Sequence, residues 1–283
     1  MKNIISIDGE RYEENDFPSI LQIKTFELNK LKQYKKEMDR SLIEAVMPDD
    51  PAKIVFTSGT TGKPKGACLS HFTLANNVSI VMKQFDVIGE ANCCLPLPFF
   101  HSFAGVLGNL MPLAFPESQI VIPFLKYNLR EFVESIQKHN VSFLFATPTL
   151  AIDLFNYVAR KNYQLPTLKA VLAGGAAVPE ETVYQFKATI PSCTDFRIGY
   201  GATETGPGLT GNRVDTSDAD KAQTVGQPLD FIEVKIVDQT TNKLVKIGET
   251  GEIHTRGHNV MIGYWKEPEK TAKVLQNGWY NTE

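Results

Sequence analysis

The sequence predicts an α/β fold in which a mostly parallel sheet is covered by helices on both faces. Short apolar runs, typical of buried strands, alternate with helical stretches between residues 53 and 201. This alternation implies right-handed crossovers that connect parallel strands. The pattern changes near Thr216, after which apolar residues alternate in TVGQPLDFIEVKIVD and glycines interrupt TNKLVKIGETGEIHTRG. A smaller β-rich subdomain is therefore predicted to follow the α/β part.

The individual elements follow from apolar runs, turn residues and helix caps. A short strand at residues 4–7 ends at Asp8-Gly9, and the highly charged stretch 16–47 is predicted to be helical until PDDP interrupts it. Ser70 is a suitable N-cap for a helix over residues 71–84. The other strands are predicted at residues 53–56, 92–97, 119–123, 141–148, 168–175 and 195–201, and the other helices at 104–113, 129–139, 149–161, 179–188 and within PEKTAKVL. These elements define three parts, residues 1–48, 49–215 and 216–283.

Composition and charge argue against several classes of protein. A formal net charge of −3 and a pI of about 6.0 disfavour a nucleic-acid-binding surface, because such domains are usually strongly basic. No apolar run reaches the roughly 18 residues of a membrane span. The acidic N-terminus resembles neither a secretory signal nor a mitochondrial transit peptide. The four cysteines lack the spacing of a zinc site and are expected to be buried thiols.

The segment TSGTTGKPKG, residues 57–66, has the composition of a phosphate-binding loop. Backbone N–H groups made accessible by glycines form phosphate cradles together with hydroxyls and lysines. The loop is predicted to end a strand of the parallel sheet, where open α/β sheets bind ligands. A P-loop NTPase, which would release phosphate without any carboxylic acid, is disfavoured. Only two residues separate Gly59 from Gly62, and Lys63 is followed by Pro64, so the P-loop spacing is not met.

This loop and five later segments together resemble the motifs of the adenylate-forming superfamily, which includes acyl-CoA synthetases, luciferases and peptide-synthetase adenylation domains. The later segments are PFFHSFAG (98–105), AGGAAVP (173–179), YGATE (200–204), TGEIHTRG (250–257) and GYW (263–265). Within the superfamily, DPAKIVFTSGTTGKPKGACLSH and VMIGYWKEPEKT are most similar to medium-chain acyl-CoA synthetases of the type called acyl-CoA synthetase family member 2. The resemblance implies the fold of the superfamily's N-terminal domain. It also implies a reaction in which a carboxylate attacks the α-phosphate of ATP and the acyl group then passes to coenzyme A.

The resemblance implies a role for residues in each motif. Tyr200 would stack on adenine, Thr203 would donate to the α-phosphate, and Glu204 would hold Mg²⁺. Lys65 would add charge against the phosphates and completes the expected catalytic set of Lys65, Thr203 and Glu204. The other implied contacts are with phosphate for Thr57, Ser58, Gly59, Thr60, Thr61, Gly62, Lys63 and Pro64, with adenine or AMP for Gly174, Gly175, Ala176, Gly201 and Ala202, and with the acyl substrate for Phe100, His101 and Phe103. His101 is not expected to be a general base, since a carboxylic acid is already ionised at neutral pH.

The resemblance also implies that the chain is a portion of a longer enzyme. Its last residues, GWYNTE, resemble the pattern Trp-Tyr-x-Thr-Gly-Asp, in which Glu283 takes the place of the glycine and the ribose-binding Asp would come next. Residues 216–283 would then be a partial β-rich subdomain with the C-terminal lid domain absent, and residues 1–48 the remnant of a preceding α/β subdomain with a charged linker. The implied substrates are ATP with Mg²⁺, coenzyme A and a fatty acid, and the implied compartment is the mitochondrion. Two alternatives stay open: a catalytically incompetent nucleotide- or acyl-binding fragment, and another adenylate-forming ligase.

Overall fold

The computed structural model describes residues 3–6, 24–27, 45–57, 64–85, 91–124 and 126–282. The chain divides into two compact units, Met1–Val46 and Met47–Glu283. In the first unit, strands β1 (Asn3–Ser6) and β2 (Lys24–Glu27) pair in parallel. The first predicted strand is therefore confirmed.

The predicted helix over residues 16–47 is wrong at residues 24–27, which form β2, and at residues 45–47, which are not helical. The hydrogen bonds of this segment, KTFE, are made with β1, and such pairing outweighs the local preference of its charged neighbours. Residues 16–23 and 28–44 of the predicted helix lie outside the described residues.

The second unit contains all of the other elements that the structure describes. Its strands are β3 (Pro51–Thr57), β4 (Lys65–Ser70), β5 (Asn92–Cys94), β6 (Gln119–Val121), β7 (Phe143–Ala146), β8 (Ala170–Ala173), β9 (Asp195–Tyr200), β10 (Thr210–Gly211), β11 (Gln227–Pro228), β12 (Ile232–Val237), β13 (Glu252–Gly257), β14 (Gly263–Tyr264), β15 (Leu275–Gln276) and β16 (Trp279–Asn281). Its α-helices are α1 (His71–Gln84), α2 (Asn109–Ala114), α3 (Leu129–Lys138), α4 (Pro148–Lys161), α5 (Glu180–Thr189), α6 (Asp218–Gln223) and α7 (Pro268–Val274). A π-helix, Phe103–Gly108, continues directly into α2, and a 3₁₀ turn covers Thr203–Thr205.

Seven strands form one sheet in the order β11-β10-β9-β8-β7-β5-β6. The five strands from β9 to β6 are parallel, and β10 and β11 add antiparallel pairings at one edge. Side chains of β7 alternate between the faces, so Phe143 and Phe145 join one buried cluster while Leu144 and Ala146 join another. Helix α1 and the π-helix cover the first face, and α3, α4 and α5 cover the second. The predicted mostly parallel sheet with helices on both faces is confirmed.

Helix α1 begins and ends where the sequence predicts. The Oγ of Ser70 accepts the backbone N–H of Thr73 at 3.0 Å, which satisfies one of the free donors of the first turn. On the buried face of α1, the Asn77 side-chain amide donates to the Gly208 carbonyl at 2.8 Å and accepts the Gly208 N–H at 3.0 Å. These two hydrogen bonds fasten α1 to the segment that leads into β10.

The glycine-rich loop connects two antiparallel strands, β3 and β4, and does not end a strand of the parallel sheet as the sequence predicted. The strand at residues 53–56 is confirmed within β3, but β4 was missed. Together with β14 the two strands form a separate sheet in the order β14-β4-β3. The sequence of β4, KGACLS, lacks the β-branched and aromatic residues that usually mark strands, and its pairing on both sides holds it in place.

The predicted β-rich part contains an antiparallel sheet in the order β12-β13-β16-β15. Its longest pairing runs from Ile232 opposite Gly257 to Val237 opposite Glu252. This sheet starts at Ile232, later than the change of pattern near Thr216, because α6 still packs against β9 and β11 still pairs with β10. The short helix predicted within PEKTAKVL is α7.

The four cysteines are free and buried, in agreement with the sequence-based expectation. Burial raises the pKa of Cys93 and of Cys193 to about 12, so these thiols stay protonated at neutral pH. Over the described part of the chain, no helix has both the length and the apolar character needed to cross a bilayer.

Candidate functional site

A cavity of about 140 Å³ lies where the carboxyl ends of β8 and β9 meet α1 and the π-helix. Three of the sequence motifs contribute to its wall: PFFHSFAG through His101 and Phe103, AGGAAVP through Gly174 and Gly175, and YGATE through residues 200–203. The carboxyl ends of parallel strands are the usual ligand-binding edge of such sheets. Motifs that are separated by about a hundred residues in sequence therefore meet around one space.

The side chains of PFFHSFAG point in different directions. His101 lies at the exposed rim of the cavity, and its Nδ1 accepts the backbone N–H of Phe103 at 3.2 Å. Phe103 is buried in the wall, where its ring packs edge-to-face on Phe145 with 5.9 Å between ring centroids. Phe100 is 83% exposed and does not line the cavity. Of the three predicted acyl contacts, the structure brings His101 and Phe103 to the cavity and leaves Phe100 outside.

Ser102, which the sequence did not single out, connects this motif to YGATE. It is 2% exposed, and its Oγ lies 3.1 Å from the Oγ1 of Thr203. Both residues line the cavity. When Ser102 donates, the hydroxyl hydrogen of Thr203 stays available for an oxygen acceptor inside the cavity. The pair therefore orients Thr203 where the resemblance places the donor to the α-phosphate.

The π-helix Phe103–Gly108 is braced by Lys53 of β3. The ammonium of Lys53 donates to the Gly105 carbonyl at 2.6 Å, and burial lowers the pKa of Lys53. A Cβ on Gly105 would lie 2.8 Å from Lys53 Nζ, so the absence of a side chain permits this contact. Lys53 thereby satisfies one backbone carbonyl of the π-helix. Helices of this type are rare and are frequent at functional sites.

Most, but not all, of the residues predicted to contact adenine or AMP line the cavity. Gly174, Gly175, Tyr200, Gly201 and Ala202 line the cavity, whereas Ala176 is exposed and lies outside its lining. Gly175 has φ +84°, a left-handed conformation that favours glycine. A Cβ on Gly201 would lie 1.6 Å from the Pro207 carbonyl oxygen, so only glycine allows the two segments to cross there. Both glycines are thus required by the backbone that forms the wall.

A line of contacts joins the glycine-rich loop to the predicted metal ligand. Lys65 Nζ lies 4.6 Å from the ring centroid of Tyr264, and the Tyr264 hydroxyl donates to Glu204 Oε1 at 2.8 Å. Glu204 is 7% exposed and Tyr264 is 5% exposed. The pairing of β14 with β4 brings Tyr264 beside Lys65, because Tyr264 is in register with Ala67. The sequence identified GYW as a motif, and the structure adds the contact that its tyrosine makes.

Glu204 fits the role of a Mg²⁺ ligand that works together with substrate oxygens. Mg²⁺ is usually held through one or two carboxylates plus phosphate oxygens and keeps several waters. Within the described ranges, no group of three or more His, Cys, Asp or Glu side chains is placed to hold a metal. The protein would therefore supply Glu204, fixed by Tyr264, and the nucleotide would supply the phosphate oxygens.

The predicted phosphate contacts fall largely in a part of the loop that the structure leaves out. Ser58, Gly59, Thr60, Thr61, Gly62 and Lys63 lie outside the described residues. At the base of the loop, Thr57 Oγ1 donates to the Lys65 carbonyl at 3.4 Å, across the end of the β3–β4 hairpin. Pro64 is exposed beside it. The hairpin therefore directs Lys65 toward Tyr264 and Glu204.

The inner end of the cavity is built from residues that the sequence did not assign to the site. Val81 comes from the buried face of α1, Phe85 directly follows that helix, Leu172 comes from β8, and Leu229 from the segment after β11. The spacing of Val81 and Phe85 marks them as one face of a helix. That signal predicts burial, but it does not distinguish a residue of the core from one that lines a cavity.

Comparisons with known proteins agree with the motifs. The profile of the family described as AMP-binding enzyme matches residues 7–265. The chain is 34% identical over 247 residues to the mitochondrial medium-chain acyl-CoA ligase ACSF2 of Danio rerio, covering 86% of this chain and 40% of that protein. It is 33% identical over 237 residues to the putative acyl-CoA synthetase YngI of Bacillus subtilis, covering 83% of this chain and 42% of that protein. The crystal structure of ATP-bound MatB from Rhodopseudomonas palustris superposes with a TM-score of 0.79 at 25% identity, over 93% of this chain and 51% of MatB.

The chain spans about two fifths of the length of these curated relatives, since the matches cover 40% and 42% of them. The superposition on MatB confirms the adenylate-forming fold that the motifs implied.

Proposed function

We propose that this chain, which belongs to the AMP-binding enzyme family, forms the ATP- and acyl-binding part of an acyl-CoA ligase. A carboxylate oxygen would attack the α-phosphorus of ATP, the bond to the β-phosphate would break, and pyrophosphate would leave. The thiolate of coenzyme A would then attack the acyl carbonyl and release AMP. The names of the similar proteins from Danio rerio and Bacillus subtilis support this class of reaction.

The observation that carries the proposal is a single cavity that joins an apolar inner end to the nucleotide motifs. Tyr200 and Thr203 lie in the wall toward the strand ends, and Phe103, Leu107 and Leu172 lie deeper. A carboxylate whose tail occupied the inner end would present its oxygens near Thr203. Holding two reactants in line is a large part of what such a site contributes to the rate.

Each described residue has a defined task in this scheme. Tyr200 offers a ring face for the adenine, and Thr203, oriented by Ser102, donates to an α-phosphate oxygen. Lys65 places positive charge beside the phosphates. Glu204, held by Tyr264, binds Mg²⁺, which supplies charge neutralisation on the phosphates when it is bound.

The cavity favours a fatty acid over an amino acid. None of the described residues that line it is acidic, so the protein has no carboxylate there to pair with an α-ammonium group. A medium-chain acid is the proposed substrate, in line with the name of the Danio rerio relative. Mitochondrial location is proposed from the same likeness, and fractionation of cells that express the native protein tests it.

Acid-dependent exchange of labelled pyrophosphate into ATP tests the proposed function directly. Exchange that depends on a medium-chain acid supports adenylation, whereas binding of ATP and acid without exchange indicates a binding module that needs further parts. Glu204→Gln removes the proposed metal ligand and should abolish exchange. Exchange at the parental rate in this variant would exclude the role given to Glu204.

A further inference from the structure

Beside the inner end of the cavity, two glycines lie opposite each other on neighbouring strands. Gly199 of β9 pairs with Gly211 of β10, and neither carries a side chain to fill the space above the strands. The Phe85 ring occupies that space. A Cβ on Gly211 would lie 2.6 Å from Phe85 Cζ, and a Cβ on Gly199 would lie 3.9 Å from the same atom. The ring therefore rests on bare backbone.

Along β9, alternate residues face this side of the sheet. Gly201 and Gly199 line the cavity, and the next position inward is Arg197, which is 3% exposed. The Arg197 guanidinium carbon lies 5.4 Å from the centroid of the Phe85 ring. Phe85 thus stands between the open part of the cavity and a buried cation.

The position of Phe85 is held from two sides. Its backbone N–H donates to the Val81 carbonyl at 3.0 Å at the end of α1. Arg197 Nη1 donates to the Gln84 carbonyl at 2.9 Å, and Asp195 forms ion pairs with both Arg197 and Lys221. These contacts restrain the last turn of α1, so the ring has little freedom to withdraw.

We propose that Phe85 is the residue that limits acyl chain length, by closing the channel floored by Gly199 and Gly201 with its ring. The inference rests on the proposed function, because it takes the cavity as the acyl site. The side chains around the inner end are apolar apart from Thr210, whose hydroxyl donates to the Val225 carbonyl at 2.7 Å. The ligand class is therefore an aliphatic monocarboxylic acid whose methyl end meets Phe85.

Chain-length dependence follows from the burial of methylene groups. Each additional methylene that enters the channel should tighten binding by about fourfold. The increase in affinity should stop at the acid whose methyl end reaches the Phe85 ring. Beyond that length the tail must bend or the ring must move, and affinity should level off or fall.

Calorimetric titration with saturated acids from butyrate to hexadecanoate measures the acyl chain length beyond which affinity no longer increases. Phe85→Leu should move that point to longer acids, so that the next two-carbon step tightens binding by about fourfold when one methylene enters and about 16-fold when both do, where the parent gains nothing. Gly199→Ala should move it to shorter acids, because the new Cβ would lie 3.2 Å from Leu172 Cδ1 and would project into the channel. Two variants with opposite expected shifts keep the test informative if one of them folds poorly.

Phe155→Leu is the matched control. Phe155 is 5% exposed on α4, in the buried cluster on the opposite face of the sheet. This variant should lose comparable stability and keep the parental length profile. An unchanged profile in folded Phe85→Leu and Gly199→Ala, or no binding of any acid to the parent chain, overturns the inference. A different result would contradict the proposed function and leave this inference standing. In that result, acids bind with the expected dependence on chain length, but they support no pyrophosphate exchange, even in a protein that includes any further parts needed for adenylation.

Discussion

Replacing Tyr264 with phenylalanine should raise the Mg²⁺ concentration needed for nucleotide binding without removing a proposed metal ligand. The substitution deletes the hydroxyl that donates to Glu204 Oε1 at 2.8 Å, and it keeps the ring that lies 4.6 Å from Lys65 Nζ. It therefore separates the hydrogen bond to the carboxylate from the contact with the lysine. Glu204, which is 7% exposed, would lose a partner that little water can replace.

The size of the effect follows from the charge of the acceptor. A hydrogen bond to a charged group contributes about 1.5–3 kcal/mol. That range corresponds to roughly a 10- to 100-fold change in an equilibrium constant, which is also the usual cost of removing a residue that orients a metal ligand. We therefore expect the half-saturating Mg²⁺ concentration to rise by roughly 10- to 100-fold in Tyr264→Phe.

Titration calorimetry with a non-hydrolysable ATP analogue at a series of Mg²⁺ concentrations measures this shift. Affinity at saturating Mg²⁺ should approach that of the parent, because every direct contact remains. Tyr280→Phe serves as control, since Tyr280 is a buried tyrosine of the same apolar cluster, 4% exposed, to which the proposed scheme assigns no task. A parental Mg²⁺ dependence in Tyr264→Phe would refute the positioning of Glu204 by Tyr264.

Two further variants test the surroundings of the cavity. Ser102→Ala removes the partner of Thr203 and should weaken binding of the ATP analogue by about 0.5–1.5 kcal/mol, with recovery in Ser102→Thr; equal affinities would contradict the orienting role. Asp195→Asn leaves Arg197 and Lys221 without their carboxylate and should lower the free energy of unfolding at pH 7 by about 3–5 kcal/mol. Burial raises the pKa of the Asp195 carboxyl, but hydrogen bonds from Arg197 and Lys221 outweigh burial and hold that pKa below its usual value. The Asp195 carboxylate therefore contributes its full share to the free energy of unfolding above its unfolded-state pKa, and that share is lost as pH falls through the folded-state pKa. Denaturant titrations should show that the difference in free energy of unfolding between parent and Asp195→Asn becomes smaller below about pH 4.

The sequence predicted the parallel sheet because its strands are short apolar runs between helices, a pattern that depends on local spacing. The resemblance of their motifs assigned His101, Gly174 and Tyr200 to one site, and the structure brings all three to one cavity at the carboxyl ends of the strands. The sequence missed β4, whose six residues carry no strand signal of their own and depend on pairing with β3 and β14. Nor did it give a role to Phe85, whose helical spacing marks burial alone.

The strands that flank the glycine-rich loop, β3 and β4, are held by apolar packing outside the parallel sheet. Val55 of β3 and Leu69 of β4 belong to a buried cluster that also contains Leu74 of α1, Val106 of the π-helix and Tyr264 of β14. The hairpin is therefore packed against the same two helices that enclose the cavity. Because Tyr264 is both a member of this cluster and the donor to Glu204, the packing of the hairpin also determines how far Lys65 lies from the carboxylate that we propose binds Mg²⁺. Motifs alone do not specify that distance, because it depends on side chains from four elements that are far apart in sequence.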